Sequence, residues 1–446
     1  MNILFSFLSL CCFATVWSQS TTNQPASFYG LGESAAQNHG IFDALGKNTI
    51  NIFDSTVLNF YNPSTYNTMS TGNTLYSFGI QSRLSHYGEE GKTQLDFAAM
   101  VDHIAIGMRI KKNMGLAFGL RPFAAKGYQI IDKTFTGFDS LQYTYKGTGA
   151  IQNLFAGYSY GLVYRPKTKL SIGANASYLF GTVCNERQSL LISSGTNQGG
   201  INKQSILIRS FHYEIGAYFQ QQFGKNHSIS ISAVYLPQQH YKGFYQDEFY
   251  TATNINTGST YDTLAFSRSP IKIRQTATLQ FGFNYALLLP KMKRQTRELH
   301  PRLNIMASYA QFGAMSHDAI DLIPNFGLST FERMSFGAQF CPETRMLENV
   351  STLKGLEKVS YRIGYYTQTL PYTKNGIQYA ESAWTFGLGL PILAQMSASS
   401  VNFGFNIGNR FSNQSTGLQE KFVSFNIGLI LAPSNFDKWF RQRKLD

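Results

Sequence analysis

The sequence predicts an all-β protein, an antiparallel transmembrane β-barrel of about fourteen strands with an N-terminal hatch in its lumen. Two stretches near the C-terminus, 401–410 and 422–431, show the pattern most clearly. Neighbouring residues of a strand point to opposite faces, so each stretch has one bulky apolar face and one face of mostly Asn, Ser and Gly. An apolar outside and a polar inside are typical of membrane barrels, whereas the outer face of a soluble β-sandwich usually carries Lys, Glu and Thr. The apolar faces consist of Val401, Phe403, Phe405 and Ile407, and of Val423, Phe425, Ile427, Leu429 and Leu431.

The amino-acid composition supports the same fold class. Charged residues make up 14% of the 446 residues, and aromatic residues reach 15%, with 26 Tyr and 36 Phe. About 25% charged residues is usual for a soluble domain. Beyond its N-terminus the sequence has no apolar run long enough for a spanning helix. A Tyr-rich, charge-poor chain is typical of many strands with aromatic rims at a membrane interface.

The basic residues indicate which class of partner the protein meets. The net charge is +13, but the Lys and Arg residues are scattered, without a recognition helix or an aromatic-lined basic stripe. We therefore predict no nucleic-acid partner. The charge favours the anionic groups of outer-membrane lipid and lipopolysaccharide instead.

Residues 1–18 are typical of a secretory signal peptide. An apolar stretch, 3–16, is followed by small residues at the two positions that cleavage requires, although the first residues include no Lys or Arg. Cys11 suggests a lipoprotein anchor as the alternative, but Leu10 before it is too large for that processing. The sequence therefore predicts an exported protein.

Residues 19–73 form the predicted hatch. They show little period-two pattern, and their clearest local feature is Asn62-Pro63-Ser64. Asn is a good N-cap and Pro is favoured at the first helical position, so we expect a short helix over about 63–69. The alternative is an ordinary loop. The apolar residues before this turn that need burial are Val57, Leu58, Phe60 and Tyr61.

Residues 74–432 form the predicted barrel, and 433–446 a basic periplasmic tail. Short connections (111–114, 166–169 and 224–227) alternate with long ones (130–149, 184–204 and 242–269), as expected when short periplasmic turns oppose long outer loops. A barrel of about fourteen strands leaves a lumen that side chains of the wall do not fill, and 19–73 is the segment that we expect to fill it. The predicted strands are 75–87, 97–110, 115–129, 150–164, 170–183, 205–223, 228–241, 270–287, 302–312, 334–341, 359–369, 384–392, 401–410 and 422–431.

Several short motifs resemble the FadL-type family of outer-membrane long-chain fatty-acid and hydrocarbon transporters, in its Bacteroidetes branch. Asn62-Pro63-Ser64 before the first strand is one of them, with Ser64 where the family usually has Ala. The resemblance implies a fourteen-stranded barrel with an N-terminal hatch, integral to the bacterial outer membrane, and a hydrophobic cargo. Some relatives associate instead with the type IX secretion translocon, one of them as a plug. The other motifs are Gly119-Leu120-Arg121-Pro122-Phe123 with Gly127-Tyr128, Gly173-Ala174-Asn175 with Tyr178-Leu179-Phe180-Gly181, and Asp437-Lys438-Trp439-Phe440.

The sequence predicts no enzyme, no cofactor and no metal site. Ser159 lies in a Gly-x-Ser-x-Gly pattern, but a nucleophile elbow requires a sharp strand-to-helix turn, and this stretch alternates like an ordinary wall strand. Asp102 and His103 suggest an acid–base pair, but we expect neighbouring strand residues to point to opposite faces. The remaining histidines lack metal-ligand spacing, and Arg410 is interpreted as a lumen or rim charge.

Two functions follow as hypotheses. The first is passive transport of hydrophobic small molecules such as long-chain fatty acids, with hatch and ligand contacts at the residues listed below. The second is a non-transporting accessory or plug subunit of an outer-membrane type IX protein secretion machine, whose partner is a translocon subunit. The expected contact residues are Val57, Leu58, Phe60, Tyr61, Asn62 and Pro63.

Overall fold

Fourteen antiparallel wall strands form a closed barrel, because the last wall strand pairs with the first. Tyr76 of the first strand lies opposite Leu431 of the last, and the pairing continues to Gly88 opposite Gln419. Every other wall strand pairs with its neighbours in chain order. The predicted fold class is confirmed.

The computed structural model describes residues 24–34, 40–70, 74–89, 91–135, 139–192, 199–254, 259–294, 297–317, 326–344, 355–374, 377–392, 399–411 and 418–432. The predicted signal peptide and the predicted tail lie outside the described residues. The N-terminal elements are a 3₁₀ helix Pro25–Phe28, strand β1 Glu33–Ser34, helix α1 Gly40–Asp43 and a 3₁₀ helix Pro63–Thr68.

The wall is built from β2 Thr74–Glu89, β3 Lys92–Lys111, β4 Met114–Ala125 with β5 Tyr128–Phe135, β6 Ser140–Tyr164, β7 Thr168–Ile192, β8 Gly199–Phe223, β9 His227–Leu236 with β10 Gln239–Asn254, and β11 Ser259–Gln275 with β12 Thr278–Leu288. A small hairpin, β13 Met292–Arg294 and β14 Arg297–Leu299, lies outside the wall. The wall continues with β15 Arg302–Phe312 and β16 Met315–His317, β17 Phe326–Leu328 and β18 Phe331–Cys341, β19 Ser360–Lys374, β20 Ile377–Ile392, β21 Ser399–Arg410 and β22 Gln419–Leu431. A third 3₁₀ helix, Gly355–Lys358, precedes β19.

The two faces of the wall strands are the ones that the alternation predicts. On β20 to β22, Trp384 is 56% exposed and Phe425 is 41% exposed on the outside, whereas Asn406 and Asn426 are buried in the lumen. Apolar residues that stay exposed to this extent on the outside of a protein need an apolar surrounding, since large apolar patches are avoided in water. An outer surface of this kind matches the hydrocarbon of a bilayer.

The prediction of long loops is wrong, because most of the residues in these stretches continue the wall strands. β6 and β7 have 25 residues each, although a tilted membrane strand needs only about 9–11. Their extra length pairs in regular register from Ser140 opposite Ile192 to Ala150 opposite Thr182. The stretch 141–145 is rich in Tyr and Thr, residues that favour strands, and this signal was overlooked. The end of the barrel with the short turns, 112–113, 165–167 and 224–226, is called the turn end below, and the opposite end the loop end.

The described N-terminal residues, 24–34 and 40–70, lie inside the barrel. The 3₁₀ helix Pro63–Thr68 contacts β3, β4, β6, β7 and β8, and α1 contacts β20, β21 and β22. The side chains of these N-terminal residues are mostly buried. Five of the large apolar ones are fully shielded from solvent: Phe42, Leu45, Leu58, Phe60 and Tyr66. Among the described residues, no helix is long and apolar enough to cross a membrane.

Candidate functional site

The turn at Asn62 sets the path of the N-terminal segment, which is the name used here for residues 24–34 and 40–70. Asn62 is the N-cap of the 3₁₀ helix, and Pro63 is its first residue. Its Oδ1 accepts hydrogen bonds from the Ser64 backbone N–H at 3.2 Å and the Ser64 Oγ at 2.6 Å. Its Nδ2 donates to the Ile50 carbonyl at 2.9 Å. The predicted cap and helix start are therefore confirmed, and the helix is of the 3₁₀ type.

Glycines on the lumen face let this turn approach the wall. A Cβ added at Gly216 of β8 would lie 2.6 Å from Asn62 Oδ1 and 3.0 Å from Pro63 Cδ, closer than packed atoms allow. Asn67 of the same 3₁₀ helix donates to Ser171 Oγ of β7 at 3.0 Å. A glycine where another backbone approaches a strand is the usual solution for such contacts.

The six residues expected from the sequence lie together at the interface between the segment and the wall. Phe60 and Tyr61 have ring centroids 4.6 Å apart, and Phe42 of α1 packs edge-on against both rings. Val57 and Leu58 are also buried, as is Pro63. Their contact with a ligand stays a prediction. The buried apolar cluster around them contains Ile41, Leu45, Ile52, Tyr66, Met69, Leu75, Ala105, Ala117, Phe155, Met306, Ile430 and Ala432.

A buried ionic cluster joins the segment to the wall nearer the loop end. Arg410 of β21 forms an ion pair with Glu33 of β1 at 2.6 Å and a second one with Glu381 of β20. Arg83 of β2 pairs with Glu420 of β22 at 2.8 Å, and Glu420 lies 3.8 Å from Arg410. Glu381 and Glu420 are fully buried. Desolvated carboxylates of this kind are stable only with such partners, so the cluster anchors the segment.

Further polar contacts complete the ionic cluster. Lys47 of the segment lies 3.7 Å from Glu381 and over the Tyr366 ring, and the Tyr366 hydroxyl donates to Glu381 at 2.7 Å. Burial lowers the pKa of Lys47, while Glu381 and Asp43 act in the opposite direction. Burial raises the pKa of Asp43 to about 6, although the Lys47 charge opposes the shift. Asn406 donates to Asp43 at 2.6 Å.

Arg410 is the lumen or rim charge that the sequence predicts, but its ion-pair partners were not predicted. Glu381 and Glu420 lie opposite Arg410 on the neighbouring strands β20 and β22, so their pairing depends on a strand register that was not predicted. Glu33 is 377 residues away from Arg410 in the sequence, and no local pattern links the two. A signal was present on the strands themselves, since Arg83 and Glu420 both occupy lumen-facing positions of a period-two pattern. Charges at lumen positions indicate a lumen network, but not which residues pair.

The wall is interrupted where β4 separates from β3. The two strands pair from Lys111 opposite Met114 up to Ile104 opposite Leu120. Beyond this point β4 pairs with β6 on one side and with β1, inside the lumen, on the other, and β5 pairs with β6. In the part of the chain that the structure describes, residues 92–103 of β3 thus have one strand neighbour, β2. This separation of β3 from β4 and β5 is called the wall gap.

A cavity of about 140 Å³ lies behind the wall gap. Asp96, Ala98 and Met100 of β3 line it together with Ala125 of β4 and residues of the ionic cluster. The outer surface beside the gap is apolar: Leu95, Phe97, Val101, Ile130 and Ile131 are all exposed. The cavity therefore lies between a charged lumen and an apolar exterior.

Asp102 and His103 contradict the expectation that they point to opposite faces. A β-bulge places His103 opposite Gly79 and Val101 opposite Ile80, which leaves Asp102 as the extra residue of β3. Such a bulge re-aims a side chain, and both residues face the lumen. His103 Nδ1 lies 2.6 Å from Asp102 Oδ2, and its Nε2 lies 2.7 Å from Ser77 Oγ.

This Ser–His–Asp chain has the connectivity of a hydrolytic triad but is enclosed. Ser77, His103 and Asp102 are only 1–2% exposed, and the Phe60 ring covers the imidazole with centroids 4.5 Å apart. The arrangement stabilises the bulge at the start of the wall gap. Ser159, the other serine of interest, is a buried residue of β6 and lies on a wall strand as predicted.

Comparison with known proteins places these features in context. Among curated protein sequences, none matches this chain. The toluene transporter TbuX of Ralstonia pickettii is 10% identical, with 89% of this chain and 98% of that chain covered and a TM-score of 0.50. The deltaS2S3 mutant of the TodX monoaromatic hydrocarbon channel is 13% identical, with 89% and 99% covered and a TM-score of 0.50. These likenesses show a shared barrel fold.

The barrel expected from the FadL-type resemblance is therefore confirmed, while the N-terminal hatch, the Bacteroidetes branch and the link to type IX secretion stay predictions. One family model spans the entire sequence, residues 1–446, and its description is BamG. With its full length matched, the chain belongs to the BamG family.

Proposed function

We propose that the protein is an integral outer-membrane barrel that passes hydrophobic small molecules, in the size range of long-chain fatty acids, between its lumen and the surrounding membrane. The wall gap carries this proposal. It connects a cavity lined by Ala98, Met100 and Ala125 with an exterior on which Leu95 and Phe97 are exposed. A hydrophobic molecule that enters the membrane through the gap avoids water.

Two further observations support transport. Pockets that bind small molecules are concave and combine apolar lining with a few placed polar groups, and the cavity behind the gap has both kinds of residue. Solved barrels of the same fold include a toluene transporter and a monoaromatic hydrocarbon channel. Outer-membrane lipid and lipopolysaccharide surround the apolar exterior in this proposal.

A matched pair of substitutions on β3 tests the route. Ala98 lines the cavity at the gap, whereas Ala99 is its neighbour and points to the opposite face. We expect Ala98→Trp to lower uptake of a labelled long-chain fatty acid and of toluene severalfold in a deletion strain that expresses the variant. Ala99→Trp keeps the parental rate. Equal uptake by the deletion strain and its parent, or equal rates for the two variants, contradicts the proposal.

A second function, a non-transporting accessory or plug subunit of an outer-membrane secretion machine, is favoured by the ionic cluster. In the lumen, three basic residues face three carboxylates: Arg410, Arg83 and Lys47 face Glu33, Glu381 and Glu420. Separating buried ion pairs of this kind costs several kcal/mol of free energy. A segment anchored in this way keeps the bore of the barrel blocked, which a non-transporting subunit requires. Purification in mild detergent distinguishes the two functions. A stoichiometric large partner supports the accessory role, and a single barrel with bound lipid contradicts it.

A further inference from the structure

At the loop end of β4, the N-terminal segment occupies the position that a wall strand would have. Glu33 pairs with Ala125 and Ser34 with Ala124. The contact extends past the end of β4, where the Gln24 N–H donates to the Gly127 carbonyl at 2.8 Å. β3 is the partner of β4 up to Leu120, so two different strands share one edge of β4.

The connection between β4 and β5 is also held by the segment. Lys126 Nζ donates to the carbonyls of Phe28 at 3.1 Å and Gly30 at 3.0 Å. The Gly127 N–H donates to Ser27 Oγ at 3.1 Å. These bonds keep residues 121–127 turned into the lumen, away from β3.

Phe60 lies at the point where the two strands separate. Its ring packs on His103, the last residue of β3 before the pairing with β4 begins. Its carbonyl accepts a hydrogen bond of 3.5 Å from Arg121, the first residue of β4 beyond that pairing. Arg121 is held inward by its ion pair with Glu214 of β8 at 2.9 Å. Phe60 therefore occupies the space between the diverging strands.

We propose that the N-terminal segment and residues 92–103 of β3 compete for the same edge of β4, so that the wall gap exists only while residues 24–34 are docked in the lumen. An exposed strand edge is unfavourable in a membrane. When residues 24–34 leave, the edge of β4 is satisfied by pairing with β3, and the wall closes. The segment thus holds the side opening open, which is the opposite of what a simple plug does.

The observed register between β3 and β4 predicts which of their residues lie opposite each other in the closed wall. Continuing the pairing of Ile104 with Leu120 one residue at a time places Met100 opposite Ala124, the residue that now pairs with Ser34. Met100 lines the cavity behind the gap. A contact between Met100 and Ala124 therefore reports closure directly.

Cysteine cross-linking in the full-length protein tests the competition. The pair Met100→Cys and Ala124→Cys is placed in a chain whose two buried free thiols, Cys184 and Cys341, are replaced by Ala. Ser34→Pro then weakens the pairing of β1, because Pro has no N–H to donate. We expect little disulfide without Ser34→Pro under mild oxidation, and at least a fivefold higher yield with it.

A control pair and a second release variant keep the result interpretable. Ile106→Cys and Phe118→Cys face each other in the paired part of β3 and β4, so this pair cross-links in every folded variant. Phe60→Ala removes the side chain between the strands, and we expect it to raise the Met100–Ala124 yield as well. Equal Met100–Ala124 yields in the parent and in both release variants, with the control pair intact, overturn the proposal. The readout needs no transport, so it fails independently of the proposed function.

Discussion

Arg410→Met is the substitution for which the structure predicts the largest effect on the docking of the N-terminal segment. The guanidinium contacts Glu33 of the segment and Glu381 of the wall, and lies 3.8 Å from Glu420. Without it, Arg83 and Lys47 remain to balance three carboxylates, two of them fully buried. Removing one partner of a buried ion pair costs about 3–5 kcal/mol.

Hydrogen exchange of the backbone amides in 24–34 measures this cost as the free energy of local opening. An expected loss of about 3–5 kcal/mol corresponds to roughly 100- to 4,000-fold faster exchange where closing is faster than chemical exchange, so that the rate reports the opening equilibrium. Arg274→Met is the matched control, because Arg274 is an exposed arginine of β11, and it leaves the exchange rates unchanged. If the amides of 24–34 keep their protection in Arg410→Met, the ionic cluster does not anchor the segment.

Two further predictions concern the segment and the wall. His103→Ala leaves Asp102 buried without its imidazole partner and lowers the free energy of unfolding by about 1–3 kcal/mol. Thermal or denaturant unfolding in detergent measures this change. His86→Ala, at an exposed position of β2, changes the free energy of unfolding by less than about 0.5 kcal/mol, and similar values for the two variants refute the role given to His103. Burial raises the pKa of Asp43 to about 6, so docking favours the protonated carboxyl group. The contribution of Asp43 to docking is therefore fully present at a pH below its pKa in the unfolded chain, and it is lost as the pH rises through about 6. Asp43→Asn removes this component, so the protection of the amides in 40–50, taken relative to the intrinsic exchange rate at each pH, varies less between pH 4 and 7 than in the parent. An unchanged pH profile of this protection contradicts the assignment.

Some of the candidate site could be read from local sequence. The cap at Asn62 and the helix start at Pro63 depend on adjacent residues, and local hydrogen bonding decides them. The apolar residues Val57, Leu58 and Phe60 indicate burial wherever they lie. Their position beside the wall gap depends on the path of the entire segment, which no local pattern encodes.

The bulge at Asp102 shows why strand alternation alone does not predict which face of β3 each side chain occupies. Period-two reasoning assumes one residue per pairing position, and a single extra residue brings two neighbours to the same face. The pairing of β3 with β2 decides this register, and Gly79 accommodates it, since a Cβ there would lie 2.6 Å from the His103 ring.

The sequence by itself determined the barrel, because lipid and water act on every strand separately: each must present apolar side chains such as Phe403 and Phe425 to one and amides to the other. Only the tertiary structure decided which strand edges meet and which charges pair. The ion pair between Arg410 and Glu33 joins residues that are 377 positions apart in the sequence. One edge of β4 pairs with β3 along one part of its length and with β1 along another. Those outcomes depend on closure of the whole wall around the segment, and no stretch of sequence contains that information.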